Sequence, residues 1–142
     1  MKLFFSIFFL FFLMSCDRNS VDDRNCRLLI NIGMNHTENL TLSPLNGLSN
    51  GSSIIIYPPN SRGVIISNTG FGRYVAFDAA DPNHAFEACS ELTVSYPIGT
   101  CQCEDGNKFN LLDGSPVGSE GVLCPLINYR TQVTGNTLSI FN

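Results

Sequence analysis

The stretch NYRTQVTGNTLSIFN, Asn128 to Asn142, decides the fold class. Tyr129, Thr131 and Val133 alternate with Asn128, Arg130 and Gln132, the period of two that a strand with one buried face requires. Thr134-Gly135-Asn136 interrupts the alternation and Thr137 to Phe141 resumes it, so the segment predicts a β-hairpin that closes the domain.

Working back from this hairpin, short apolar and β-branched runs recur between turn residues. The candidate strands are Arg27–Ile32, Leu40–Leu42, Ser53–Tyr57, Val64–Ser67, Tyr74–Asp78, Leu92–Tyr96, Thr100–Cys103, Lys108–Leu111, Leu126–Val133 and Thr137–Phe141. No window repeats its apolar residues at a helical period. Tyr57-Pro58-Pro59-Asn60-Ser61-Arg62-Gly63 reads as a loop. About ten short strands without helices predict an all-β domain, a small antiparallel barrel or sandwich.

The chain begins MKLFFSIFFLFFLMSC, one Lys followed by an apolar run broken only by Ser6. The run is shorter than the roughly twenty residues needed to cross a bilayer, so residues 1–15 read as an export signal. Leu13, Ser15 and Cys16 resemble a bacterial lipobox, in which the Cys is acylated and becomes the new N-terminus. Several acyl chains, at about 0.8 kcal/mol per buried methylene, anchor a protein stably. Residues 16–25, polar and charged apart from Val21, then form a flexible tether, and the single domain spans residues 26–142. The expected location is the bacterial cell envelope, with the membrane as one partner through Cys16 and an envelope protein as another.

Twelve acidic residues against eight basic ones, without a basic cluster, disfavour nucleic-acid binding. Only His36 and His84 offer imidazoles, no Gly-x-Ser-x-Gly elbow occurs, and His36 lies in the polar stretch Asn35-His36-Thr37-Glu38. An enzymatic role would rest on the nearness of Asp81, Glu104 and Asp105 alone, so the expectation is a protein without catalytic residues.

The cysteines carry more. Beyond Cys16 there are Cys26, Cys89, Cys101, Cys103 and Cys124, an odd number for an oxidising compartment, which implies one or two disulfides and at least one remaining thiol. Cys101 and Cys103 are two apart on a strand or at its end and so share a face. Bonded to each other they would close a strained ring; they can instead meet a third Cys or a metal, and Cys89 is a natural partner in either case.

The second half of the chain resembles a Rieske-type domain. The resemblance runs through Tyr74-Val75-Ala76-Phe77-Asp78, a loop beginning Asp81-Pro82-Asn83, Cys101-Gln102-Cys103-Glu104, Phe109, Asp113-Gly114, Pro125-Leu126, Tyr129 and the closing hairpin. It implies two loops that hold a [2Fe–2S] cluster, with two thiolates on one iron and two imidazoles on the other. In this chain the four ligand positions carry Asp81, Asn83, Cys101 and Glu104, or Asp105 if the second loop is one residue longer. The resemblance therefore implies the frame of a Rieske domain with a degenerate ligand set and no standard cluster.

A subgroup of exported bacterial lipoproteins of this type is more similar still, with Ala80-Asp81-Pro82-Asn83, Cys89-Ser90 and Cys101-Gln102-Cys103 at matching places. That similarity implies a four-residue set of Asp81, Cys89, Cys101 and Cys103, able to hold Zn²⁺ because a carboxylate is an acceptable ligand beside thiolates. It leaves open the alternative of disulfides, in which one Cys is released and Cys124 pairs with it or with Cys26. His84, next to the first loop, is a further nitrogen donor or simply an exposed loop residue. The function expected is a non-catalytic binding or structural role at the envelope; the alternative is a metal- or [2Fe–2S]-binding redox protein that passes electrons to an envelope partner.

Overall fold

A computed structural model of the protein describes residues 26–118 and 124–142. The signal and lipidation site expected at residues 1–16, and the tether to residue 25, lie outside the described residues. Among these there is no helix long and apolar enough to cross a membrane.

The described chain is all-β, with nine strands and one short 3₁₀ turn, Ala88–Ser90. The strands are β1 (Asn35–Asn39), β2 (Ser52–Ile56), β3 (Val64–Gly70), β4 (Arg73–Asp78), β5 (Leu92–Ser95), β6 (Ile98–Cys101), β7 (Lys108–Asn110), β8 (Asn128–Thr134) and β9 (Thr137–Phe141). They form a six-stranded sheet in the order β1-β9-β8-β4-β3-β2 and a three-stranded sheet in the order β5-β6-β7, and all recorded pairings are antiparallel.

The ribbon β3–β4 is the centre of the molecule, and the reason is visible in its sequence. Val64-Ile65-Ile66 is apolar on both faces rather than alternating, the pattern of a strand covered on two sides. Val64, Ile66 and Ala76 point into a core with Met34, Leu45, Ile56, Tyr129, Leu138 and Ile140. Ile65 and Phe77 point the other way, into a second core with Ala79, Leu92, Cys101, Phe109, Leu111 and Leu126. The first core lies under the closing hairpin; the second joins the large sheet to β5–β7 and carries the two loops of interest. Gly114 lets the chain pass the ring of Phe77: its φ is +77°, and a Cβ there would stand 2.8 Å from Phe77 Cε1.

The expected closing hairpin forms with Thr134 paired to Thr137 across Gly135, whose φ is +59°. Two expected strands do not. Arg27–Ile32 is irregular, and two of its carbonyls are taken by side chains: Arg62 Nη2 donates to Ile30 O at 3.0 Å and Asn142 Nδ2 to Ile32 O at 3.1 Å. Leu40–Leu42 is a turn, in which Asn39 Oδ1 accepts from Thr41 N–H at 2.9 Å and from its hydroxyl at 2.7 Å. The strand at this edge is instead the polar Asn35–Asn39, paired along its whole length with β9. His36 therefore sits on a strand, half-buried, with Nε2 2.7 Å from Glu38 Oε1.

Candidate functional site

Two connections meet at one end of the second core. Loop 1 leaves β4 at Asp78 and returns to β5 at Leu92; loop 2, Gln102–Asn107, joins β6 to β7. One backbone bond joins them, Gln102 N–H donating to Cys89 O (3.0 Å), while Asp81 N–H to Ser90 O (2.8 Å) closes loop 1 and Cys101 N–H to Asn107 O (2.8 Å) closes loop 2. A disulfide between Cys89 and Cys103 links the two loops covalently, and a second, Cys26–Cys124, ties the start of the domain to the segment before β8. Of the five candidate cysteines, Cys101 is the one left as a free thiol, and it is buried.

Asp81 is fully buried at the head of loop 1. Its Oδ1 accepts from the backbone N–H and the Nδ2 of Asn83, both at 2.8 Å, an Asx turn that a short polar side chain makes with the residue two positions on. Asn83 in turn clamps the neighbouring chain, because its Oδ1 accepts from Cys124 N–H at 2.8 Å and its Nδ2 donates to Cys124 O at 3.3 Å. The residue at the first imidazole position of the Rieske pattern is thus a bridge between loop 1 and Cys124.

Asp81 Oδ2 faces the other way. It accepts from Asn107 Nδ2 at 2.9 Å and lies 3.6 Å from His84 Nε2. That nitrogen is 2.8 Å from Asp105 Oδ2, which also accepts from Asn107 Nδ2 at 2.6 Å. Cys101 lies alongside, with its Sγ 3.6 Å from Cys89 O. Burial pushes the Cys101 thiol up to about 11, and the carboxyl groups of Asp81 and Asp105 push in the same direction, against the Cys103 N–H, which favours the thiolate.

The four-residue set Asp81, Cys89, Cys101 and Cys103 is divided by this arrangement. Cys89 and Cys103, also candidates for a disulfide, spend their sulfurs on each other, and a disulfide sulfur is no thiolate ligand, so in this structure the four residues do not stand together as free ligands. The residues whose ligand atoms converge are Asp81, His84, Cys101 and Asp105, all within 4.8 Å of one another. Glu104 is exposed and outside this group; Asp105 is the loop 2 carboxylate that enters it. The sequence offers His84 as a further nitrogen donor and Asp105 as the alternative ligand position of loop 2, and the structure brings both into the cluster. The only signal for them was position, His84 directly after loop 1 and Asp105 one place beyond the expected ligand.

A Rieske cluster does not fit these donors. It needs two thiolates and two imidazoles, whereas the described residues here offer one free thiol, one imidazole and two carboxyl groups. The chain's other histidine, His36, is on β1 with Glu38.

A second buried carboxyl group stands three residues earlier. Asp78 receives Arg62 Nη2 on Oδ2, the Tyr129 hydroxyl on the same oxygen at 3.0 Å, and Ala80 N–H on Oδ1 at 3.0 Å. Burial, and then the Asp78 charge, raise the Tyr129 phenol well above its ordinary range. Arg62 also lies over the ring of Phe86, 5.9 Å from its centroid, so one guanidinium ties β4 and loop 1 to the N-terminal run at Ile30.

No protein-family model and no curated protein matches the chain. Among solved structures it is similar to the plasma membrane Rieske protein PetC3 from Synechocystis PCC 6803, at 19% identity and a TM-score of 0.49 over 63% of this chain and 86% of that one. It is similar to the ferredoxin of carbazole 1,9a-dioxygenase from Nocardioides aromaticivorans IC177 at 16% identity and a TM-score of 0.48, over 78% and 98% of the two chains. The Sphingomonas yanoikuyae B1 ferredoxin gives 14% identity and a TM-score of 0.47 over 66% and 88%. Likeness at this level concerns architecture and says nothing of what the loops bind.

Proposed function

We propose that the protein is an acylated lipoprotein of the bacterial cell envelope whose Rieske-like domain holds no [2Fe–2S] cluster and serves a non-catalytic binding or structural role. The observation that carries this reading is the Asp81–Asn83 pair. Two of the four ligand positions of the family pattern are spent on an Asx turn that also fastens loop 1 to Cys124. The loops are built as structure where a Rieske domain would present sulfur and imidazole.

The envelope location rests on the lipobox-like Leu13, Ser15 and Cys16 and on the two disulfides, since such bonds persist in oxidising compartments. Cys16 would supply the membrane contact, and an envelope protein is the partner class this placement favours.

Two measurements test the reading. The full chain, expressed in a bacterial host and purified without air, is expected to lack stoichiometric iron and acid-labile sulfide; finding both, with sulfur-to-iron absorption in the visible, would overturn it in favour of the electron-carrier alternative. Metabolic labelling with a radioactive fatty acid should mark the protein and be lost in Cys16→Ser. Equal labelling of that variant would remove the lipid anchor from the proposal.

A further inference from the structure

Buried carboxyl groups in a protein interior are paired, hydrogen-bonded or metal-bound, because an uncompensated charge there is costly. Asp78 meets this condition with Arg62. Asp81, equally buried, is hydrogen-bonded by neutral amide groups of Asn83 and Asn107 and has no guanidinium beside it: among the described residues the one basic side chain within ion-pair distance is His84, at 3.6 Å. Around Asp81 Oδ2 gather the Nε2 of His84, the Sγ of Cys101 and an oxygen of Asp105, which make four donors within 4.8 Å of one another.

We propose that Asp81, His84, Cys101 and Asp105 form a binding site for a single Zn²⁺ ion. The proposal rests on the cluster-free reading above, since the same loops cannot hold both groups. One sulfur, one imidazole nitrogen and two carboxylate oxygens form a set of four that Zn²⁺ takes in tetrahedral geometry. Mg²⁺ and Ca²⁺ take six or more oxygens, and the softest ions prefer several thiolates, so the mixed set selects a borderline ion.

The neighbours of these donors suit a metal centre. Asn107 Nδ2 bridges the two carboxyl groups and takes one lone pair of Asp81 Oδ2, while Asn83 occupies Oδ1, so the second lone pair of Oδ2 is the one left for the cluster. The Cys89–Cys103 disulfide holds the residue two places beyond Cys101 and leaves the Cys101 thiol as the free sulfur. Asp81 and Cys101 are inside, whereas the side chains of His84 and Asp105 are 30% and 41% exposed, which gives an ion a path from solvent. Binding converts the Cys101 thiol to a thiolate on the metal and releases its proton to solvent.

The test uses the untagged full chain in detergent, without reductant, so that both disulfides persist. Titration with Co²⁺ is expected to saturate at one equivalent with a thiolate-to-cobalt charge-transfer band and visible bands of tetrahedral cobalt, all bleached by one equivalent of Zn²⁺. Cys101→Ser should lose the charge-transfer band. Asp105→Ala, at the exposed rim and so expected to fold, should weaken Zn²⁺ binding by more than the roughly 10- to 100-fold that follows loss of a supporting residue, and Asn107→Ala by about 10-fold. Absence of saturable Co²⁺ binding, saturation without the charge-transfer band, or unchanged affinity in Asp105→Ala would each overturn the proposal. Iron and sulfide analysis of the same sample separates this failure from that of the cluster-free reading: stoichiometric iron and sulfide overturn both, and no iron with no cobalt binding overturns the zinc site alone.

Discussion

Asp78 and Asp81 stand three residues apart, both fully buried, and solve the same physical problem differently. Asp78 is closed: a guanidinium, a phenol and a backbone N–H use its oxygens, and the bonds join β4, β8 and the loop after β2. Asp81 is held by neutral amides alone, two bonds on Oδ1 and one from Asn107 on Oδ2, and Oδ2 also shares a small space with an imidazole, a thiol and a second carboxyl group. Two identical side chains on one short segment therefore do different work. The first joins β4 to β8 and to the loop after β2, and the second sits in the donor cluster proposed above to bind Zn²⁺.

The largest expected consequence of that difference is in stability. Asp78→Ala should cost about 3–5 kcal/mol in denaturant unfolding, the effect of leaving a buried charge and its partners unpaired; a loss below about 1 kcal/mol would make Asp78 no more structural than Asp81. Next comes the frame that positions both residues. Gly114→Ala places a Cβ against the ring of Phe77, beside Asp78, and overpacking there costs about 1–3 kcal/mol, with a left-handed backbone adding about 1–2 kcal/mol. A melting temperature within error of the parent would show that Phe77 yields.

Asp81→Ala should cost less than Asp78→Ala, about 1–3 kcal/mol, because the groups it orphans are neutral amides, Asn83 and Asn107. Equal losses in the two variants, measured in parallel by urea unfolding, would erase the contrast. The smallest effect is a pH dependence. The Cys101 thiol is raised from about 9 in the unfolded chain to about 11 in the folded one, so the unfolded state gives up its proton first. The stabilisation is complete below pH 9 and is lost as pH rises from 9 through 11. In metal-free protein, Cys101→Ala should flatten that part of the stability profile; an unchanged decline would assign it to another group.

The architecture was largely legible in the sequence, and the reasons lie in particular residues. Tyr129-x-Thr131-x-Val133 and the Gly135 turn announce a hairpin because alternation and turn chemistry are local properties. Val64-Ile65-Ile66 marks a strand by composition, since β-branched residues in an unbroken run suit a strand covered on both faces. The polar Asn35–Asn39 is silent because its order comes from the free edge of β9, which lies about a hundred residues away in sequence. Arg27–Ile32 reads as a strand by composition, yet its hydrogen bonds come from Arg62 and Asn142.

For the site, the sequence by itself determined which chemical groups the two loops carry: one imidazole at His84, carboxyl groups at Asp81 and Asp105, an amide at Asn83, and three cysteines at 89, 101 and 103. It also limits the chain's imidazoles to His36 and His84, which is a matter of counting. Only the tertiary structure decided which sulfurs meet. Pairing Cys89 with Cys103 depends on where loop 1 crosses loop 2, and at that crossing Gln102 N–H donates to Cys89 O beside the disulfide. Because the disulfide removes two sulfurs and the same crossing brings His84 to Asp105, the identity of the donor cluster is a property of the packed loops and not of their spacing.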